Sequence, residues 1–173
     1  MLVLVLLLCS SAACPTSGDT QSRFIEIDGR KEPGRIPQYY AWASVFRLLS
    51  RKALPSPRMA EAVNADLGIS GKDLALVDAA AIEATKAQEQ CDKHVADETT
   101  ALRKQGIAVP SVRAVIDPIV LECRSKTLAA ADALLAALST ENQNKLLNFL
   151  DRHKQSISIS VRESELTFFR LPR

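Results

Sequence analysis

The sequence predicts an all-α protein organised around a long antiparallel helical hairpin, with three shorter helices packed against it and short β-strands compatible with its C-terminal pattern. Two observations predict this class. Apolar or small residues recur at steps of three and four through residues 71–105 and again through 110–138, which is the spacing of one helix face. Hydrophobic residues make up 47% of the chain, and since many of them are alanine, the composition favours closely packed helices.

The first arm of the hairpin is expected to run from about residue 71 to residue 105. Ser70 and Asp73 resemble a capping pair at its start. Gly106 follows two basic residues at its end, where cations suit the helix dipole and glycine suits a left-handed cap. The apolar seam of this arm consists of Leu74, Val77, Ala81, Ala84, Cys91, Val95 and Leu102.

The second arm begins near Pro110, which is acceptable in a first helical turn. Pro118 lies inside this arm, where it removes a backbone donor and collides with the preceding turn. We therefore expect a kink or a restart there, with Asp117 as the new cap. The seam of this arm consists of Val112, Ile116, Ile119, Cys123, Ala130, Leu134 and Ala137.

Cys91 and Cys123 are equidistant from residue 107, the middle of the predicted turn, and both occupy seam positions. An antiparallel hairpin would bring them to the same level, where they can form a disulfide bond. The alternative is two buried free thiols, because cysteine packs as a small hydrophobic residue. The disulfide requires an oxidising compartment.

The N-terminus predicts export. An unbroken apolar run over residues 2–8 is followed by small residues 10–13, which is typical of a signal peptide spanning residues 1–13. The run is too short to remain as a membrane-spanning helix. No Lys or Arg precedes it, which is atypical, and the alternative is a buried N-terminal element of a cytosolic protein.

Cys14 decides the type of export. Residues 11–14 resemble a bacterial lipoprotein box, although Ser11 stands where the box carries leucine. Lipidation of Cys14 and loss of Cys9 would leave two cysteines that pair, whereas ordinary cleavage after Ala13 would leave Cys14 unpaired. We therefore expect a periplasmic or outer-membrane lipoprotein of a bacterium, held to the membrane by Cys14. Residues 14–22 would form a tether and residues 23–173 a single helical domain.

The shorter elements follow from local patterns. Thr140 and Gln143 are typical of a capping box that opens a helix fading near residue 154. The alternating segment 156–161 predicts a strand, which either pairs with the apolar run 166–169 or with the N-terminal segment 24–27. Two further helices are expected over residues 37–52 and 57–67. The first of these helices presents apolar and aromatic residues at helical spacing, which we expect in the core: Tyr39, Trp42, Val45, Phe46 and Leu49. The alternative is that Tyr39, Tyr40 and Trp42 form a stacking platform for a ligand.

The chemical inventory favours a protein that is not an enzyme and carries no cofactor. The two histidines, His94 and His153, belong to no recognisable catalytic arrangement, and the sequence contains no phosphate-binding loop, serine elbow, zinc helix or haem signature. A net charge of +2 without a basic motif argues against nucleic-acid binding. A hydrolase of unrecognised type would need a polar cleft of acidic residues, which spacing alone cannot reveal.

One constellation suggests a metal site. Cys91 and His94 are three residues apart on one helix face, and Cys123 is expected opposite, so two thiolates and an imidazole could bind zinc or copper. Asp92 or Asp97 could supply a fourth ligand. A disulfide would consume both sulfur atoms, so the two interpretations exclude each other.

Two stretches look like degenerate copies of the Leu-Thr-x-x-Gln motif, residues 69–73 (ISGKD) and residues 138–143 (LSTENQ). The first has Asp73 in place of glutamine, and the second has one extra residue after Leu138. In this respect the chain resembles small helical periplasmic stress proteins of the Spy and CpxP type, whose motifs lie at helix starts. Residues 27–37 also look like the N-terminal part of uncharacterised exported helical proteins of soil bacteria. This second resemblance implies no function.

The resemblance implies an ATP-independent chaperone or an envelope-stress and metal-responsive regulator. Together with export and the absence of catalytic motifs, it leads us to expect a non-enzymatic binding or chaperone-like module of the cell envelope. Its partners would be protein clients or envelope proteins. The alternative is a metal-binding or metal-responsive envelope protein that uses Cys91, His94 and Cys123.

Overall fold

The computed structural model describes residues 23–51 and 57–162. The predicted signal peptide, the tether with Cys14, and the apolar run 166–169 lie outside the described residues. The elements, in chain order, are β1 (Phe24–Asp28), a 3₁₀ turn (Pro33–Arg35), α1 (Gln38–Arg51), α2 (Pro57–Leu67), α3 (Gly71–Lys104), α4 (Val109–Ala137), α5 (Thr140–Lys154) and β2 (Ser158–Arg162). The predicted all-α class with short strands is confirmed.

Helices α3 and α4 form the predicted hairpin. Gly106 has φ +72°, the left-handed conformation expected after the last turn of α3. The predicted seam is buried or half-buried along both arms, except at Ala137, which is exposed because α4 ends there and Leu138 takes the buried position. Helix α3 begins at Gly71 with Ser70 as its N-cap residue, as predicted, but Ser70 makes no side-chain capping bond, so the predicted capping interaction with Asp73 is wrong.

Helix α4 continues through Pro118, so the predicted restart with Asp117 as a cap is wrong. Proline leaves the carbonyl of Ala114, four residues earlier, without its helical donor. Both Ala114 and Pro118 are exposed, so water can satisfy that carbonyl and the helix need not break. Asp117 instead lies 3.8 Å from the guanidinium of Arg162 in β2.

Helix α1 packs along the hairpin and supplies most of the bulky core. Phe46 and Leu49 are almost fully buried, and the ring of Trp42 lies 5.4 Å from that of Phe46, between centroids. These residues belong to one hydrophobic core that also receives small side chains from both arms, such as Ala81 and Ala131. The predicted aromatic contribution of this helix to the core is confirmed for Trp42 and Phe46.

Helices α2 and α5 close one end of this core. Leu67 ends α2 and is buried, and Gly68 follows it with φ +67°. Helix α5 begins at Thr140, but its cap is Ser139, whose hydroxyl accepts from Asn142 N at 3.4 Å. The predicted capping box with Thr140 as the cap was therefore displaced by one residue, because two hydroxyl residues stand side by side.

The two strands pair with each other. Strand β1 lies antiparallel to β2, with Ile27 opposite Ile159. Of the two pairings left open by the sequence, the one with the N-terminal segment is therefore present. Gly29 follows β1 and its N–H donates to the Ile157 carbonyl at 2.8 Å. A Cβ atom at Gly29 would collide with the backbone carbonyl of Lys154, so this close approach requires glycine.

Among the described residues, no helix combines the length and apolar character needed to cross a lipid bilayer.

Candidate functional sites

Cys91 in α3 and Cys123 in α4 are joined by a disulfide bond, with a Cα–Cα distance of 6.0 Å. This is the pairing that the spacing of the two cysteines predicts. Both residues are half-buried and lie at the same level of the hairpin. The bond closes a sequence separation of 32 residues.

The remaining candidate metal ligands are dispersed. His94 and Asp97 are exposed on α3, and Asp92 lies 3.8 Å from the guanidinium of Arg47 in α1. Within residues 23–51 and 57–162, no group of three or more His, Cys, Asp or Glu side chains is arranged to hold a metal ion. With both sulfur atoms in the disulfide, the described side chains offer His94 no thiolate partner.

The two motif copies meet in space. Asp73 of the first copy is buried, and its Oδ2 accepts from Asn142 Nδ2 of the second copy at 2.7 Å. Gln143 Nε2 donates to the Leu138 carbonyl at 3.0 Å. Asp73 therefore joins the start of α3 to the start of α5 instead of capping its own helix.

Arg124 is a buried cation that sequence reasoning missed. It lies on α4 with 8% exposure, and its guanidinium carbon is 5.3 Å from the ring centroid of Tyr39 and 5.7 Å from that of Tyr40. These distances fall in the range of cation–π interactions. The two tyrosines therefore hold an arginine of the same chain, in place of the ligand-stacking role considered from the sequence.

His153 near the end of α5 is the second group that the sequence did not single out. Its Nε2 lies 2.9 Å from Ser44 Oγ of α1, and its ring stacks on Phe149. Burial lowers the pKa of His153 and favours the neutral ring. Ser156 Oγ donates to the His153 carbonyl at 2.7 Å, so we assign the proton to Nδ1, which faces Ser156 Oγ at 3.3 Å, and Nε2 then accepts from Ser44.

A serine–histidine pair is also the centre of many nucleophilic sites. Here Ser44 lies inside α1, where backbone N–H groups bond to the helix's own carbonyls and cannot stabilise an oxyanion. On the opposite side of the ring, Nδ1 faces the hydroxyl of Ser156 and not a carboxylate. The pair therefore serves to connect α1 with the C-terminal end of α5.

An apolar pocket of about 450 Å³ opens beside His153, between α1, α2 and α5. Its volume lies in the range of small-molecule sites, which is roughly 300–1,000 Å³. We call it the α1–α2–α5 pocket. It is lined by Leu48, Met59, Ala62, Val63, Asp66, Phe149, Arg152, His153 and Ser156.

A second concavity, of about 330 Å³, lies between α3 and α4 next to the disulfide. It is lined by small side chains such as Ala84, Ala87 and Ala130, together with Glu83 and Lys126. Along the same two helices, large apolar side chains are exposed to solvent. They are Leu76, Ile82, Val109, Val115 and Leu121.

The fold and these sites define a helical protein with a disulfide-linked hairpin and a small apolar pocket. Comparison of the chain with protein-family models, curated proteins and solved structures finds no match.

Proposed function

We propose that the protein is a non-enzymatic binding or chaperone-like module of the bacterial cell envelope. The observation that carries the proposal is the exposure of large apolar side chains along the hairpin. Eight such side chains are recorded as exposed in the described part of the chain, and five of them belong to α3 or α4. Contiguous exposed apolar patches mark sites that bind other proteins, whereas here we propose separate apolar contacts spread along the hairpin.

The dimensions of the hairpin suit this role. Helix α3 has 34 residues, which corresponds to a length of about 51 Å. Val109, Val115 and Leu121 lie on α4 between the turn and the disulfide, with exposures of 61%, 44% and 45%. An unfolded client offers scattered apolar segments, so a long surface with separate apolar contacts suits it better than one deep pocket.

Export and anchoring remain part of the proposal. The apolar run of residues 2–8, the small residues after it and Cys14 support a periplasmic or outer-membrane lipoprotein. The disulfide supports an oxidising compartment, because such bonds persist mainly in exported proteins. Intact-mass measurement on protein from its native envelope, with free thiols alkylated before reduction, tests both points through the lipid on Cys14 and the unlabelled Cys91 and Cys123.

The main test is suppression of client aggregation at sub-stoichiometric to equimolar ratios of the oxidised protein. Ile82→Glu and Val115→Glu place a charge on the apolar surface and should weaken suppression. Gln90→Glu and Ser125→Glu add the same charge at exposed polar positions of the same two helices and should leave it unchanged. A flat result with several clients, or equal loss in all four variants, would contradict the proposal.

The alternative, a metal-binding or metal-responsive envelope protein, requires that Cys91 and Cys123 be reduced. Only then would two thiolates stand beside His94. The reduced protein should be loaded with zinc or copper, freed of excess metal and analysed for bound ion. Absence of bound metal after this treatment would remove the alternative, whereas stoichiometric binding that His94→Ala abolishes would support it.

A further inference from the structure

We propose that the α1–α2–α5 pocket binds an uncharged single-chain amphiphile, with the apolar chain on its floor and a hydroxyl headgroup at its rim beside His153 and Ser156. The inference goes beyond the proposed function and does not depend on it, because the pocket shares no lining residue with the hairpin helices.

The apolar side chains at the floor of the pocket favour a ligand with an apolar chain. Leu48 of α1, Val63 of α2 and Phe149 of α5 approach it from three helices. Met59 lies at its edge with 48% exposure, and the flexible thioether of methionine adapts to chains of different shape. An alkyl chain placed here would be removed from water on three sides, which is the main source of affinity for such ligands.

The paired charges at the rim of the pocket favour a ligand with an uncharged headgroup. Arg152 Nη2 donates to both the backbone carbonyl and Oδ1 of Asp66 at 2.9 Å. The arginine and the aspartate that line the pocket in the described part of the chain are therefore paired with each other. A charged headgroup would lose water without meeting an unmatched opposite charge, and an anion would also face the negative end of the α5 dipole.

An uncharged headgroup meets hydrogen-bonding groups of the right kind. The Ser156 hydroxyl donates to the His153 carbonyl and accepts from His153 Nδ1, which leaves one oxygen lone pair to accept from a ligand hydroxyl. Burial also lowers the pKa of His153, which favours a neutral ring at the rim. Arg152, which is paired with Asp66, also lines the pocket, and its guanidinium carbon lies 6.0 Å from the Phe149 ring centroid.

The test uses three probes of equal chain length, decanol, decanoate and decylammonium, titrated into the oxidised protein by calorimetry. Decanol should bind at the pocket, and the two charged probes should bind about tenfold more weakly, which corresponds to about 1.4 kcal/mol. Ala62→Phe fills the pocket from α2 and should abolish decanol binding. Ala65→Phe makes the same change on the same helix, at an exposed position that does not line the pocket, and should leave binding intact.

Circular dichroism and Trp42 emission will check that both variants are folded. The proposal is overturned if decanol does not bind, if either decanoate or decylammonium binds as tightly as decanol, or if Ala62→Phe leaves binding unchanged. It is also overturned if Ala62→Phe abolishes self-association of the protein in sedimentation experiments, since the pocket would then be an interface between copies of this chain.

Discussion

Removal of the disulfide is the sharpest test of how the hairpin is stabilised. In the double variant Cys91→Ala with Cys123→Ala, the chain loses a cross-link that spans 32 residues. In the chain-entropy model, a loop of this length stabilises the folded state by about 3.7 kcal/mol at 25 °C, because it restricts the unfolded chain. Both cysteines are half-buried, so the loss of packing around the missing sulfur atoms adds only about 1 kcal/mol or less.

The assay is equilibrium unfolding in urea, followed by the fluorescence of Trp42. This is the single tryptophan of the chain, and it is 5% exposed against Phe46, so its emission reports on the core. Wild-type protein kept in reductant is the matched control, because it loses the cross-link but keeps both sulfur atoms. We expect the reduced wild type and the double alanine variant to be destabilised by similar amounts, near 4 kcal/mol.

Two results would refute this reasoning. If both samples unfold within about 1 kcal/mol of the oxidised protein, the cross-link does not restrict the unfolded chain as the model requires. If the double variant is far less stable than the reduced wild type, packing of the sulfur atoms and not the cross-link is the source of stability. A change in the urea dependence alone would indicate a more compact unfolded state in the oxidised protein.

Three further changes test other parts of the structure. Phe46→Ala should lower the free energy of unfolding by about 3–5 kcal/mol in the same urea assay, since this ring is 1% exposed in the core. Gly29→Ala should prevent the close approach of the residue after β1 to the Lys154 carbonyl and so destabilise the fold strongly. Gly106→Ala has open space around it and only a positive φ to strain, so it should lower the free energy of unfolding by about 1 kcal/mol. Equal melting temperatures of the two variants would contradict this contrast. Because burial lowers the pKa of His153, the unfolded state binds more protons than the folded state below about pH 6.5. The free energy of unfolding should therefore fall as the pH drops from 7.5 towards 5.5, by less than about 1.4 kcal/mol per pH unit. His153→Gln should remove that part of the slope, and an unchanged slope would assign it to other groups.

The hairpin was predictable because its signals are local. Gly106 ends one arm where the periodicity stops, and Cys91 and Cys123 fall at matching positions on either side of the turn. The ends of the helices follow from residues that either allow or forbid a given backbone conformation. Pro118 shows the limit of such rules, because its effect depends on whether the freed carbonyl faces water.

The pocket and the buried polar groups were not predictable, since they depend on which helices meet. Nothing in the sequence singled out Arg124, which is buried where α4 meets Tyr39 and Tyr40 of α1. His153 similarly acquires its environment from Ser44, 109 residues away in the chain. For the buried carboxylate Asp73, the sequence did offer a signal, because Asp73 belongs to one of the two motif copies. Its contact with Asn142 of the other copy could not be predicted from periodicity or spacing.

The position of the disulfide connects stability with the proposed function. The buried residues of α3 end at Thr85, and apart from Val112 those of α4 begin at Arg124, so the cross-link lies where close packing against the rest of the core ends. Beyond it the two arms share a seam that is half-buried apart from Val112, so most of its side chains gain only part of the free energy of full burial. The exposed residues Val109, Val115 and Leu121 lie beyond the disulfide. The α4 part of the surface that we propose for client binding is thus held in place by a covalent bond more than by packing. Reduction should weaken binding at this part, while Ile82 and the core around Phe46 keep their positions.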